Sequence, residues 1–229
     1  MKLSTIPFRK LLKNAVFKSD LSVFDLAVEA LNRRKGGDVT FVQVGAFDGV
    51  FLDPLRKHVL ANHWRGLLVE PQRDAFEWLK ENYAGEPQLR FKNAAITESE
   101  GPVRMLAGRR QGETTVSSGL LSGFYFKAKM VLRGDYAKTI TVPGTTLRAA
   151  LVKHGMTEFD LLQVDAEGCD DKVVRQALTI YLPSVIHFES LWIPNQRLAA
   201  LYAMLRERGY AVHHGVGDPC DSVAVRDIF

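Results

Sequence analysis

From residue 38 onward the chain alternates short β-branched or aromatic runs with stretches of helical periodicity, and each run stops at a glycine or a carboxylate. Val39-Thr40-Phe41-Val42-Gln43-Val44 leads into Gly45-Ala46-Phe47-Asp48-Gly49. A helix is predicted over about 53–63, and the buried-looking run Gly66-Leu67-Leu68-Val69 then ends on Glu70. Pro71 suits the opening of the next helix, which is predicted to reach Tyr83. Residues 89–97 read as one strand and 103–106 as a short one. Later come a strand over 139–142, a helix over 146–154, and the strand 159–164 ending in Asp165-Ala166-Glu167-Gly168. A helix over 170–180, a strand over 184–188 closing on Glu189, a helix over 195–208 and a hairpin of 210–214 with 222–226 complete the pattern. Such alternation predicts an α/β fold, a mostly parallel sheet wrapped by helices. Ligands of open parallel sheets bind beyond the carboxyl ends of the strands, so the residues that close the strands are the candidates for function.

Composition narrows the classes. The chain has 229 residues, 46% of them apolar and 24% charged, which suits one packed domain and excludes disorder, collagen and coiled coil for the whole chain. Its two cysteines, Cys169 and Cys220, form no CxxC pair, so neither a disulfide framework nor a cysteine zinc site is expected. With no secretory signal at Met1 and no apolar run near the length of a membrane span, a reducing, cytoplasmic setting is expected. The charge of +4 is mild, and there is no aromatic RNA-binding pattern or zinc-finger spacing, so nucleic acid is not an expected partner.

Two segments stand apart. Residues 1–37 are predicted to be a helical extension, with Phe17, Leu21, Phe24, Val28 and Leu31 at helical spacing and Gly36-Gly37 as the stop, leaving 38–229 as the main domain. The first twenty residues are basic and amphipathic, which fits a helix packed on the domain or one lying at a membrane surface. Residues 108–137 are polar and glycine-rich and break the rhythm, as a lid or binding loop does. There, Arg109 and Arg110 are either solvated or placed to bind an anionic acceptor, and Tyr125 and Phe126 are candidates to cover it.

The strand ends carry the functional signal. Gly45, Ala46 and Gly49 form a small-residue turn that lets backbone approach a ligand. Glu70 lies 25 residues after Gly45, the separation of one strand–helix–strand unit, and can accept the two hydroxyls of a ribose. The turn lacks the GxGxxG pattern of dinucleotide sites and carries Asp48, a poor neighbour for pyrophosphate and a good one for a cation. A sulfonium nucleoside is therefore favoured over a nicotinamide dinucleotide. A nucleotide-dependent oxidoreductase and an inactive binding protein remain the alternatives.

Five segments together resemble the successive motifs of FkbM-type S-adenosylmethionine-dependent methyltransferases. They are Phe41 to Gly49, Leu68-Val69-Glu70-Pro71, Asn93-Ala94-Ala95-Ile96, Thr145-Thr146-Leu147 and Asp160 to Gly168 with its Asp-x-Glu-Gly box. Gln43 stands where the family commonly has an acidic residue, Phe47 where it has a small or polar one, and Asp170 where Glu is more usual. The resemblance implies a Rossmann-like class I methyltransferase fold, with a seven-stranded, mostly parallel sheet and a C-terminal antiparallel hairpin. It implies that Gln43, Gly45, Ala46, Phe47, Asp48 and Gly49 surround the methionine portion of S-adenosylmethionine. Glu70 would hold the ribose, Pro71, Asn93 and Ala94 would lie near the adenine, and Asp165 would sit where the methyl donor meets the acceptor. A small-molecule hydroxyl, on a sugar or natural product, is the implied acceptor.

Methyl transfer to a hydroxyl also requires alignment and removal of a proton. Asp165 and Glu189 close strands expected to be neighbours, so the pair is expected either to hold a divalent cation such as magnesium or to supply a general base. Glu167 is a further candidate base, with helix capping as its competing role. His187 shares strand parity with Glu189, and either faces the site or fills the core; Trp192 is a candidate to line an acceptor cleft.

Overall fold

The computed structural model describes residues 22–109, 118–120, 136–215 and 220–227. The basic N-terminal stretch, Arg110, Tyr125 and Phe126 lie outside the described residues, as does the Arg109 side chain.

Helix α1 (Val23–Arg34) begins at a capping box: the Ser22 hydroxyl accepts the Asp25 amide, and the Asp25 carboxylate accepts the Ser22 amide. Its buried face, Phe24, Ala27, Val28 and Leu31, packs against Val39, Phe41, Leu161, Val185 and Val223 of the sheet. Asp25 is buried and receives Lys57 Nζ at 2.7 Å and His58 Nε2 at 3.0 Å, which ties α1 to α2 (Arg56–Asn62). Burial alone would raise the Asp25 carboxyl; the bonds from His58, Lys57 and Ser22 outweigh it and hold the group well below the usual carboxylate range. Trp64 Nε1 donates to Asn32 Oδ1 at 3.1 Å and adds a second tie to the helix.

The main sheet has seven strands in the order β10-β11-β9-β8-β1-β2-β3. Its parallel centre is β1 (Thr40–Val44) between β2 (Arg65–Val69) and β8 (Leu161–Val164), with β3 (Leu89–Lys92) and β9 (Val185–Glu189) outside them. Strands β10 (Ala211–His214) and β11 (Asp221–Val225) form the antiparallel hairpin expected at the C-terminus. The strand order turns at β1, which places the ends of β1, β2 and β8 side by side. Side chains alternate between two cores. Val42, Val44, Leu162, Val164, Ile186 and Phe188 lie in the core that includes α4 (Leu147–Lys153), α5 (Asp170–Leu178) and α6 (Asn195–Glu207). Phe41, Leu68 and Leu161 lie on the face covered by α1, α2 and α3 (Arg73–Asn82). Each fully buried aliphatic or aromatic side chain contributes about 1.5–3 kcal/mol. This double burial explains why the strands read as continuous apolar runs.

The region between β3 and α4 departs from the sequence reading. The expected strand 89–97 splits into β3 and β4 (Ala95–Ile96), and β4 belongs to a second sheet. At the break Asn93 Nδ2 donates to the carbonyls of Glu70 (2.8 Å) and Pro71 (3.0 Å), which turns the chain out of the first sheet. The second sheet runs β4-β7-β5-β6, with β5 (Gly101–Arg109) antiparallel to β6 (Ser118–Leu120) and to β7 (Tyr136–Thr145). The described parts of the expected loop 108–137 are strand: its two ends, where Arg109 pairs with Tyr136, and Ser118–Leu120. Among the described residues no helix is long and apolar enough to cross a membrane.

Replacing Asp25 with Ala removes the acceptor shared by α1 and α2 and should destabilise the fold by about 2 kcal/mol at neutral pH. Because the folded carboxyl lies below its unfolded value of 3.8, the wild-type advantage is present above that pH and shrinks as the pH falls below it. Urea unfolding of both proteins at neutral and acidic pH measures the difference; equal stability at neutral pH would show the network to be dispensable.

Candidate active site

The ends of β1, β2 and β8 are stitched together by backbone. The Gly45 and Ala46 amides both donate to the Val69 carbonyl, and the Asp165 amide donates to the Val44 carbonyl. Gly45 has φ +80°, and a Cβ there would lie 1.9 Å from the Asp165 carbonyl oxygen, so only glycine fits. The turn continues through Phe47, also left-handed at φ 48°.

Glu70 closes this arrangement. Its carboxylate is 3% exposed and accepts the Phe47 amide at 3.0 Å and the Gln72 amide at 2.8 Å, linking the β1 turn to the start of α3. Burial pushes the Glu70 carboxyl up to about 7, the two amides oppose this, and the nearby Asp165 charge adds to it.

Beyond β8 the Asp-x-Glu-Gly box makes a second tight turn, with Glu167 at φ 48° and Gly168 at φ +88°. Asp170, fully buried, accepts the amides of Ala166 and Gly168, both at 3.0 Å. Asp170 therefore closes this turn, while the helix-capping role considered for Glu167 is not seen, since the N-cap position is Cys169 with no side-chain cap. Burial first, and then Asp165, raise its carboxyl well above the usual range.

Between the two turns lies a cleft of about 640 Å³, counting space open to solvent, lined by Gly45, Phe47, Glu70, Pro71, Asp165 and Glu167 and by others that include Gln72, Ala94, Ile96, Met105 and Cys169. Among the described residues its lining carries three carboxylates and no Lys, Arg or His. Of the residues named from sequence, Gly45, Phe47, Glu70, Pro71, Ala94, Asp165 and Glu167 line it.

The others sit nearby in supporting places. Gln43 is buried on the α1–α3 side, where it hydrogen-bonds Asp53. Ala46 is buried under the turn, and Gly49, at φ +69°, lies where a Cβ would meet Tyr83 and Leu79. Asp48 does not face the cleft lining: its Oδ1 accepts the Val50 and Phe51 amides at 2.9 and 2.8 Å and shapes the next turn. Asn93 braces the Glu70–Pro71 backbone, as described above. Glu189 is not among the cleft residues, and no group of three or more His, Cys, Asp or Glu side chains among the described residues is arranged to hold a metal ion. The magnesium expected at an Asp165–Glu189 pair therefore finds no support, although the register of β8 and β9 does bring these two positions side by side.

His187 occupies the core. It stacks on Phe24 with ring centroids 4.4 Å apart, and its ring nitrogens meet Gln163 and Asp221. Trp192 packs beside Gly168 rather than in the cleft lining. Sequence reasoning missed Met105, which arrives from the second sheet, and Cys169, whose thiol burial pushes up.

The family described as the methyltransferase FkbM domain matches residues 43–212. Among solved structures the chain is similar to methyltransferase FkbM from Methylobacillus flagellatus KT, at 13% identity and a TM-score of 0.53, over 82% of this chain and 44% of that one. It is also similar to the METTL16 MTase domain, at 11% identity and a TM-score of 0.51, over 90% of this chain and 66% of that one. At these identities the likeness is one of fold, and the chain spans less than half of the first of these proteins. Among curated proteins none matches the sequence.

Replacing Gly45 with Ala combines a left-handed backbone with a clash against backbone oxygen. It should cost more than about 3 kcal/mol or open the joint between β1 and β8. Thermal unfolding of G45A at an unchanged midpoint would show that the strand ends are not locked as described.

Proposed function

The chain belongs to the FkbM methyltransferase family, and from that premise we propose that it moves a methyl group from S-adenosylmethionine to a hydroxyl of a small molecule. The observation that carries the reading is Glu70, a buried carboxylate at the tip of β2, lining a cleft to which the described residues bring no cationic side chain. That lining fits a donor with a sulfonium, an amine and a ribose, and does not fit one bearing pyrophosphate, which weighs against the oxidoreductase alternative. The close approach of backbone at Gly45 leaves a turn without side-chain bulk beside it.

When bound, the donor supplies an electrophilic methyl group, whose bond to sulfur breaks, leaving the electron pair on sulfur, as a bond to the acceptor oxygen forms. The protein's residues do the rest. Glu70, held by the Phe47 and Gln72 amides, keeps lone pairs for the ribose hydroxyls. Pro71, Gln72, Ala94 and Ile96 offer a mostly apolar wall for a flat base. Asp165 is the solvent-exposed carboxylate of the cleft, and receives the proton released by the acceptor hydroxyl. Glu167 stands beside it as a second negative charge facing the positive donor. Asp170 acts on both by fixing the turn that carries them.

Glu70→Ala should weaken binding of S-adenosylhomocysteine by about 1–3 kcal/mol, read by calorimetry; undiminished affinity would take Glu70 out of the donor site. The ionised carboxylate is the better acceptor for ribose, so wild-type affinity should rise with pH through about 7, and Glu70→Gln should abolish that rise. The same raised carboxyl makes its contribution to folding largest below its unfolded value of 4.5 and lost as the pH rises to about 7.

Asp165→Asn should slow turnover by about 10²-fold or more, the usual range for loss of a general base, and change donor affinity much less. An unaltered turnover rate would exclude Asp165 as the proton acceptor.

A further inference from the structure

Beside the cleft runs an apolar ridge that donor binding does not use. Between Gly49 and α2, Val50, Phe51 and Leu52 follow one another and are 48%, 52% and 85% exposed. Single exposed apolar residues are ordinary, but three in sequence at the rim of a site are not. The backbone holds them outward. Asp48 Oδ1 takes the Val50 and Phe51 amides, Arg56 donates to the Gly49 carbonyl at 3.1 Å, and Asp53 Oδ1 takes the Leu55 amide at 2.8 Å. Leu52 itself is at φ 52°, a left-handed conformation that a bulky residue adopts only where its surroundings impose it.

The ridge is continuous with the cleft. The Phe51 ring meets the Phe47 ring edge-on at 6.4 Å, and Phe47 is part of the cleft lining. On the far side, the loop after β9 leaves Leu191 49% exposed, next to the Trp192 that packs against Gly168. Because β8 lies between β1 and β9, the exposed Asp165 stands between these two apolar shoulders. Among the described residues the lining offers Glu70, Asp165 and Glu167 and no basic side chain, a negative field that favours an uncharged acceptor head over an anionic one.

We propose that the methyl acceptor is an amphiphile, an uncharged hydroxyl-bearing head on an aliphatic chain, whose chain lies along Phe47, Phe51 and Leu52 while its hydroxyl reaches Asp165. The inference deepens the methyl-transfer reading and rests on it. The head is small enough to share the cleft with the donor, and the chain leaves over the rim, where the ridge shields one side of it from water.

The test uses the full chain saturated with S-adenosylhomocysteine and titrated calorimetrically with 1-hexanol, 1-octanol and 1-decanol. Burial against one apolar face should tighten binding about two- to fourfold per added methylene. In the double variant Phe51→Ser with Leu52→Asn that gradient should vanish. Both side chains lie outside the core and Asn tolerates a left-handed backbone, so an unchanged melting temperature is expected for the variant. No binding of the alkanols, affinity independent of chain length, or the same gradient in wild type and variant would each overturn the proposal. The affinity for S-adenosylhomocysteine separates the two readings. Failure of the wild type to bind it removes the donor site, whereas normal binding with a flat alkanol series removes only the amphiphilic acceptor.

Discussion

The contact on which the site depends is the approach of β1 to β8 at Gly45, where no side-chain carbon can stand between the turn and the Asp165 carbonyl. With the amides of Gly45 and Ala46 spent on Val69, and that of Asp165 on Val44, three strand ends become one rigid edge. Each carboxylate that lines the cleft hangs from that edge. Glu70 spans from the tip of β2 to the β1 turn, and Asp165 and Glu167 ride on the β8 turn. A loosening at Gly45 would therefore displace donor-side and acceptor-side groups together.

The acidic residues around the edge divide their work by burial. Asp170 is fully buried and spends its oxygens on two turn amides, so its charge state matters to folding more than to binding. Glu70 is nearly as buried but opens to the cleft, and burial poises it near neutrality. Asp165 is exposed where it lines the cleft. Asp48, which sequence spacing nominated as a partner for a cation, instead shapes the turn that lifts Phe51 and Leu52 into solvent. Which backbone amides each carboxylate can reach thus decides whether it braces a turn or faces the cleft.

Much of the fold was readable from residues. The runs around Val42, Leu68, Leu162 and Ile186 are apolar on both faces because both faces are covered, and that marks a parallel sheet without any coordinates. The glycine after β1, the glutamate after β2 and the Asp-x-Glu-Gly turn after β8 announced the cleft, because a parallel sheet brings its carboxyl ends to one edge. Of the second sheet, the runs 103–106 and 139–142 were readable as strands, but neither their full length nor their pairing was. Its ladder joins Arg109 to Tyr136 across a polar stretch with no alternating pattern, and Asn93 ends β3 through bonds to residues more than twenty positions earlier.

What the sequence determined by itself is the class of fold, the edge at which the site lies and the carboxylates that close the strands, all of which follow from local periodicity and chain order. Only the tertiary structure decided which of those carboxylates face the cleft. Glu189 is not in the cleft lining, His187 turns under α1 to stack on Phe24, and Met105 enters from a strand whose pairing local pattern does not reveal. The reason is geometric: strand parity tells which face a side chain takes, but its neighbours are set by strand order, twist and the backbone amides within reach, and these come from contacts between residues far apart in the chain.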